Sequence, residues 1–170
     1  DARILPIYEG TTAIQANDLV FRKTIRDNGA AVNSLLDDID NEMATLANHH
    51  NTEIVKAAKN IIEANNTARK VAAHILGGAN TPRRPAASGS NYLMLLGTLC
   101  GGWLMTRSGA AAADALAKGE TGAIGNDDFM KIKLTTMQIY ITHHLPKISG
   151  LACTITDGDN SALAMQPDWL

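Results

Sequence analysis

Aromatic residues make up only 4% of this 170-residue sequence, and charged residues 19%. So few aromatics argue against a sheet-rich core, where aromatic and β-branched side chains dominate. The net charge is −2, and no basic run interrupts it. A nucleic-acid or anionic-membrane surface needs clustered Lys and Arg, so both partners are excluded as expectations. The Arg83-Arg84 pair lies between Pro82 and Pro85 and reads as a solvated loop. There are two cysteines, Cys100 and Cys153, without CxxC or Cys/His spacing. They are expected to be buried, reduced thiols in a cytoplasmic protein. No signal peptide is visible. The longest apolar run, Tyr92 to Met105, is broken by Gly97, Thr98, Gly101 and Gly102. It falls short of the roughly 20 residues that cross a bilayer.

What is abundant is alanine, within a hydrophobic fraction of 45%. Alanine loses no side-chain entropy on entering a helix, so the composition favours closely packed helices. The periodicity agrees and predicts an all-α fold: a bundle of about four long helices preceded by a short one. The short helix spans about Thr12–Lys23, with Ile14, Leu19 and Val20 as apolar positions and Thr11 or Thr12 as cap. Asp27-Asn28-Gly29 interrupts the chain. The next helix covers about Ala30–Ala47, where Val32, Leu35, Leu36, Ile39, Met43 and Leu46 share a face. A third covers about Glu53–Leu76, capped by Thr52, its stripe built from Ile54, Ala58, Ile61, Ile62, Val71 and Ile75. Residues 79 to 89 read as a loop. A fourth helix, about Asn91–Lys118, is apolar almost all round and belongs at the centre of the bundle. Its Gly97 and Gly101, four apart, predict one face bare enough for close helix approach. The last helix runs from an Asn126 cap to about Thr156, kinked or broken by Pro146 and ended by Asp157-Gly158-Asp159.

The sequence lacks the signatures of most chemical classes. There is no glycine-lysine phosphate loop, no HExxH and no Glu-x-x-His pair. Asp157-Gly158-Asp159 opens like a calcium loop, but its sixth position is Ala162 and its twelfth Asp168. The glycines 119, 122 and 125 lack dinucleotide spacing. His49-His50 and His143-His144 are adjacent pairs. Neighbours on a helix point about 100° apart, so surface or interface histidines are expected and no metal site. One constellation remains: Ile7-Tyr8-Glu9-Gly10-Thr11, just before the first helix. A carboxylate among apolar residues has a raised pKa, which suits a general base, and glycine beside it admits a ligand closely. Taken alone, a carboxylate favouring the helix N-terminus is the commoner reason for such a Glu.

The longer string Leu5-Pro6-Ile7-Tyr8-Glu9-Gly10-Thr11-Thr12-Ala13-Ile14-Gln15-Ala16-Asn17-Asp18-Leu19 resembles the end of the acyl-CoA dehydrogenase catalytic domain. Tyr92 to Gly97, Gly102-Trp103-Leu104, Phe129 to Lys133 and Tyr140 to Pro146 resemble the extra helical domain of larger bacterial members. Together these cover nearly the whole chain. The resemblance implies an excised C-terminal piece, residues 1–27 closing the catalytic domain and 28–170 forming the appended bundle. It implies FAD-dependent α,β-dehydrogenation of an acyl-CoA thioester, with an electron-transfer flavoprotein or similar acceptor and a homodimer. Glu9 then stands at the base position, Tyr8 and Gly10 line the substrate pocket, and Thr11 contacts FAD. Ala13 replaces a longer polar residue of several relatives. Ile4, Leu5, Ile7, Ile14 and Leu19 would pack against the upstream catalytic domain or, without it, against a second copy. The alternative reading is a structural or oligomerisation module with no catalytic role of its own.

Overall fold

The structure, a computed structural model, describes residues 11–120 and 127–164. Every regular element among them is helical. α1 covers Thr12–Asn17 and continues as a wider π-type segment, Asp18–Ile25. α2 covers Ala30–Leu46, α3 Thr52–Gly77 and α4 Arg83–Ala117. α5 covers Asp128–Ile139 and also widens, over Tyr140–His144, before α6, Lys147–Ala164.

The first connection is built by Asp27. One of its carboxylate oxygens accepts from the Gly29 N–H at 3.0 Å and the other from the Ala31 N–H at 2.9 Å. The Ala31 N–H is a donor that the start of α2 leaves unpaired, while the Gly29 N–H also reaches the Thr24 carbonyl at 2.8 Å. Gly29 itself has φ +80°, a conformation that costs other residues energy. α2 and α3 then pair through the expected stripes. Val32, Leu36, Ile39 and Met43 face Ile54, Ala58, Ile61, Val71 and Ile75 in one continuous core. A buried polar contact sets their register, as Asn65 Nδ2 donates to the Leu36 carbonyl at 2.8 Å. Beside it, Arg69 donates to Asp37 at 2.6 Å and to Asp40 at 2.8 Å.

α4 runs through the middle, packed against α1, α3, α5 and α6. This is the central place that its uniform apolarity predicts. It also starts earlier than expected. Arg83 and Arg84 lie in its first turn, not in a loop, and Pro85 is buried there. The N–H groups of a first turn have no intrahelical acceptor, so a proline at this point removes nothing. The extra turns bring Gly89 against α1, where a Cβ built on it would stand 3.5 Å from Ala16 Cβ. The segment after the cap therefore seats on its own bundle. It does so through Ala16, Val20 and Thr24, four apart, with Leu19, expected to face the upstream domain, partly buried against the same core. Thr24 and Tyr92 share a buried hydroxyl contact of 3.3 Å. Ile14 is 66% exposed.

The bare face of α4 is also placed differently. Nothing comes within 4 Å of a Cβ built on Gly97. Gly101, Gly102 and Gly109 are the positions of close approach, meeting Tyr140, Ile61 and Met137 respectively. The Tyr140 ring lies across α4 with its hydroxyl donating to the Thr98 carbonyl at 3.2 Å. Pro146 divides the last segment as expected, and the Leu145 N–H reaches back five residues to the Tyr140 carbonyl at 3.0 Å. Asp157-Gly158-Asp159, expected as a terminator, lies inside α6. A glycine ends a helix by taking a left-handed conformation, and the positive-φ glycines of the described residues are Gly29 and Gly119.

Candidate functional site

Of the residues the sequence assigns to a site, Tyr8, Glu9 and Gly10 lie outside the described residues. Thr11 is described. It is half-buried at the start of α1, and its carbonyl accepts from the Gln15 N–H at 2.9 Å. Its side chain makes no capping bond. α3 is capped by Asn51, one residue before the expected Thr52. The Asn51 carboxamide oxygen accepts from the N–H groups of Glu53 at 2.9 Å and Ile54 at 3.4 Å.

The remaining chemistry-bearing side chains fall into three groups. The cysteines are free and apart. Cys100 is half-buried, and burial pushes its thiol up. Cys153, expected to be buried, is exposed. Its Sγ donates to Asp157 at 3.3 Å, which raises its pKa because the acceptor is a carboxylate. Neither is a poised nucleophile, since that role needs a lowered thiol pKa.

The second group ties α2 to α4. Glu42 accepts from Trp103 Nε1 at 2.7 Å and from Arg107 Nε at 2.7 Å, with a further Arg107 contact. The Arg107 guanidinium stacks 4.7 Å from the Trp103 ring centre. The Arg107 hydrogen bonds hold the Glu42 carboxyl below its usual range, aided by Trp103 and opposed by burial. A carboxyl with a depressed folded pKa stabilises the protein above its unfolded pKa, and that contribution fades as pH falls through the folded value. Glu42→Gln is expected to flatten this acid limb in urea melts between about pH 6 and pH 3. The loss at neutral pH should be about 1 kcal/mol or less, because the pair reaches solvent.

The third group departs from the helical placement expected for the adjacent histidines. His49 and His50 do not lie on a helix but in the turn between α2 and α3, so the helical argument against their cooperation fails. Their ring centres are 4.2 Å apart, and both rings face Asp114 of α4. His143 and His144 remain exposed, and the His144 ring stacks on Tyr140 at 5.1 Å.

The described residues thus define a helical bundle with no assembled catalytic constellation of its own. Its ancestry is clear from comparison. The family described as Acetyl-CoA dehydrogenase C-terminal like matches residues 35–166, and this chain belongs to it. The sequence is 38% identical over 168 residues to 3-methylmercaptopropionyl-CoA dehydrogenase of Ruegeria pomeroyi, covering 96% of this chain and 27% of that protein. It is 31% identical over 170 residues to a broad-specificity linear acyl-CoA dehydrogenase of Mycobacterium tuberculosis, covering 97% of this chain and 28% of that protein. The chain therefore spans about a quarter of the length of either relative. No helix among the described residues is long and apolar enough to cross a membrane.

Proposed function

We propose that this chain is the C-terminal part of a flavin-dependent acyl-CoA dehydrogenase acting in the cytoplasm. Residues 1–27 close the catalytic domain, and the bundle from residue 28 onward is appended to it. The observation that carries the reading is the likeness to two acyl-CoA dehydrogenases over 96% and 97% of this chain, together with the Tyr8-Glu9-Gly10-Thr11 string. The substrate is an acyl-CoA thioester and the cofactor FAD, with electrons leaving to an electron-transfer flavoprotein or a similar acceptor. When bound, FAD would supply the hydride-accepting chemistry that such an oxidation needs. The chain's own part is Glu9, which takes the α-proton, with Tyr8 and Gly10 beside the acyl chain and Thr11 beside the flavin. The exposed Ile14 supports this reading. It stands on the side of α1 turned away from the bundle, where an upstream domain would cover it. The bundle extends a homodimer in the same scheme.

The whole protein, purified, is expected to be yellow and to bleach when mixed anaerobically with an acyl-CoA. A series of acyl lengths identifies the substrate. A whole protein that carries no flavin, or whose flavin no acyl-CoA reduces, overturns the reading. The 170-residue chain alone is expected to be colourless and inactive, since it supplies one edge of a site whose remainder lies in the upstream domains.

A further inference from the structure

We propose that His49, His50 and Asp114 form a binding site for a divalent transition ion of the zinc class, which clamps the α2–α3 turn to α4. His49 Nε2 lies 3.0 Å from Asp114 Oδ1 and His50 Nδ1 lies 3.5 Å from the same atom. The three ligand atoms fall within 4.8 Å of one another. Tetrahedral zinc with bonds near 2.0–2.2 Å separates its ligand atoms by about 3.3 Å, so an ion fits among them with small side-chain adjustments. Two imidazoles and one carboxylate suit Zn²⁺, Cu²⁺ or Ni²⁺, whereas Mg²⁺ prefers oxygen alone. The His49 side chain is only 9% exposed, so it is held in place, while His50 at 55% and Asp114 at 49% leave a way in and room for water as a fourth ligand.

The same geometry sets a cost. The Asn51 N–H donates to His49 Nδ1 at 3.1 Å, so the ring's proton sits on Nε2 and is donated to Asp114. To ligate through Nε2, the imidazole shifts that proton to Nδ1 and the Asn51 N–H turns to water. No net proton is released from His49. One hydrogen bond is lost, which weakens binding by about two- to tenfold relative to a site without that contact.

Zn²⁺ alone is the probe, titrated calorimetrically into the chelator-treated chain. One equivalent is expected to bind, unaffected by millimolar Mg²⁺. At a hundredfold excess over its dissociation constant it should raise Tm by about 5–10 °C. His50→Ala and Asp114→Asn should each weaken binding by about tenfold or more. His143→Ala and Cys153→Ser, which remove exposed ligands elsewhere, should not. In a ¹H–¹⁵N spectrum the Asn51 amide should shift on zinc addition in the parent chain. The proposal is overturned if zinc does not bind, if His50→Ala and Asp114→Asn bind as tightly as the parent, if the two remote variants lose binding instead, or if the Asn51 amide stays in place. Circular dichroism of His50→Ala and Asp114→Asn separates lost ligation from lost folding. A loss of binding counts in favour only with the parent spectrum, and Asp114→Glu, which restores a carboxylate, must then regain part of the affinity.

Discussion

Replacing Glu9 by glutamine in the whole protein is expected to slow substrate-driven flavin reduction by about 100-fold or more. Glutamine preserves the shape of the side chain but has no basic oxygen for the α-proton. Loss of a positioned general base costs about 10²–10⁴ in rate. A factor of 100 corresponds to about 2.7 kcal/mol of barrier. FAD content and acyl-CoA binding should be little changed, because both rest on the rest of the site. Anaerobic stopped-flow mixing separates these quantities, since binding perturbs the flavin spectrum before bleaching begins. Bleaching at the parent rate would place the base on another residue and leave Glu9 as an ordinary carboxylate before a helix. Loss of flavin from the variant would give Glu9 a structural part instead.

The second large effect concerns Gly97 and Gly101 of α4, which the structure separates. Gly101→Leu should destabilise the chain by about 1–3 kcal/mol, the usual scale of overpacking. Even the first carbon of the new side chain would lie 2.1 Å from the Tyr140 hydroxyl and 2.7 Å from the ring carbon that bears it. The ring must leave, and its hydrogen bond to the Thr98 carbonyl and its stacking on His144 go with it. For a chain of this size the melting temperature should fall by about 2–10 °C. Gly97→Ala should do the reverse. Open space surrounds its Cβ, and alanine lowers the entropy of the unfolded chain, so a gain of about 0.4–1 kcal/mol is expected. Equal losses at both positions would mean that Gly97 is covered in solution, as it would be by a second copy. Tyr140→Ala should lessen the cost of Gly101→Leu, since residues in direct contact are not additive.

Helix type and helix faces were legible because they depend on neighbours in the chain. The stripe from Val32 to Met43 and that from Ile54 to Ile75 recur at three- and four-residue steps, and a helix that buries one face must place them together. The kinship with acyl-CoA dehydrogenases was legible for a different reason, since a long run of particular residues is specific without any geometry. Helix ends were read less well. The prolines at 82 and 85 looked like a loop because proline usually interrupts a helix, yet its missing N–H is harmless in a first turn. Gly158 looked like a stop, but a glycine with ordinary helical torsion merely weakens a helix.

Taken by itself, then, the amino-acid order determined an all-helical chain, the buried faces of α2 and α3, a central α4, a break at Pro146, and kinship with acyl-CoA dehydrogenases. Each follows from local spacing, composition or a contiguous string. Only the tertiary structure decided which α4 glycine meets Tyr140, that Trp103 and Arg107 close on Glu42 from another helix, and that Asp114 faces His49 and His50. Asp114 lies 65 residues from His49 and 64 from His50. No periodicity encodes such a meeting, because it depends on how three helices cross and where the turn between two of them points its side chains.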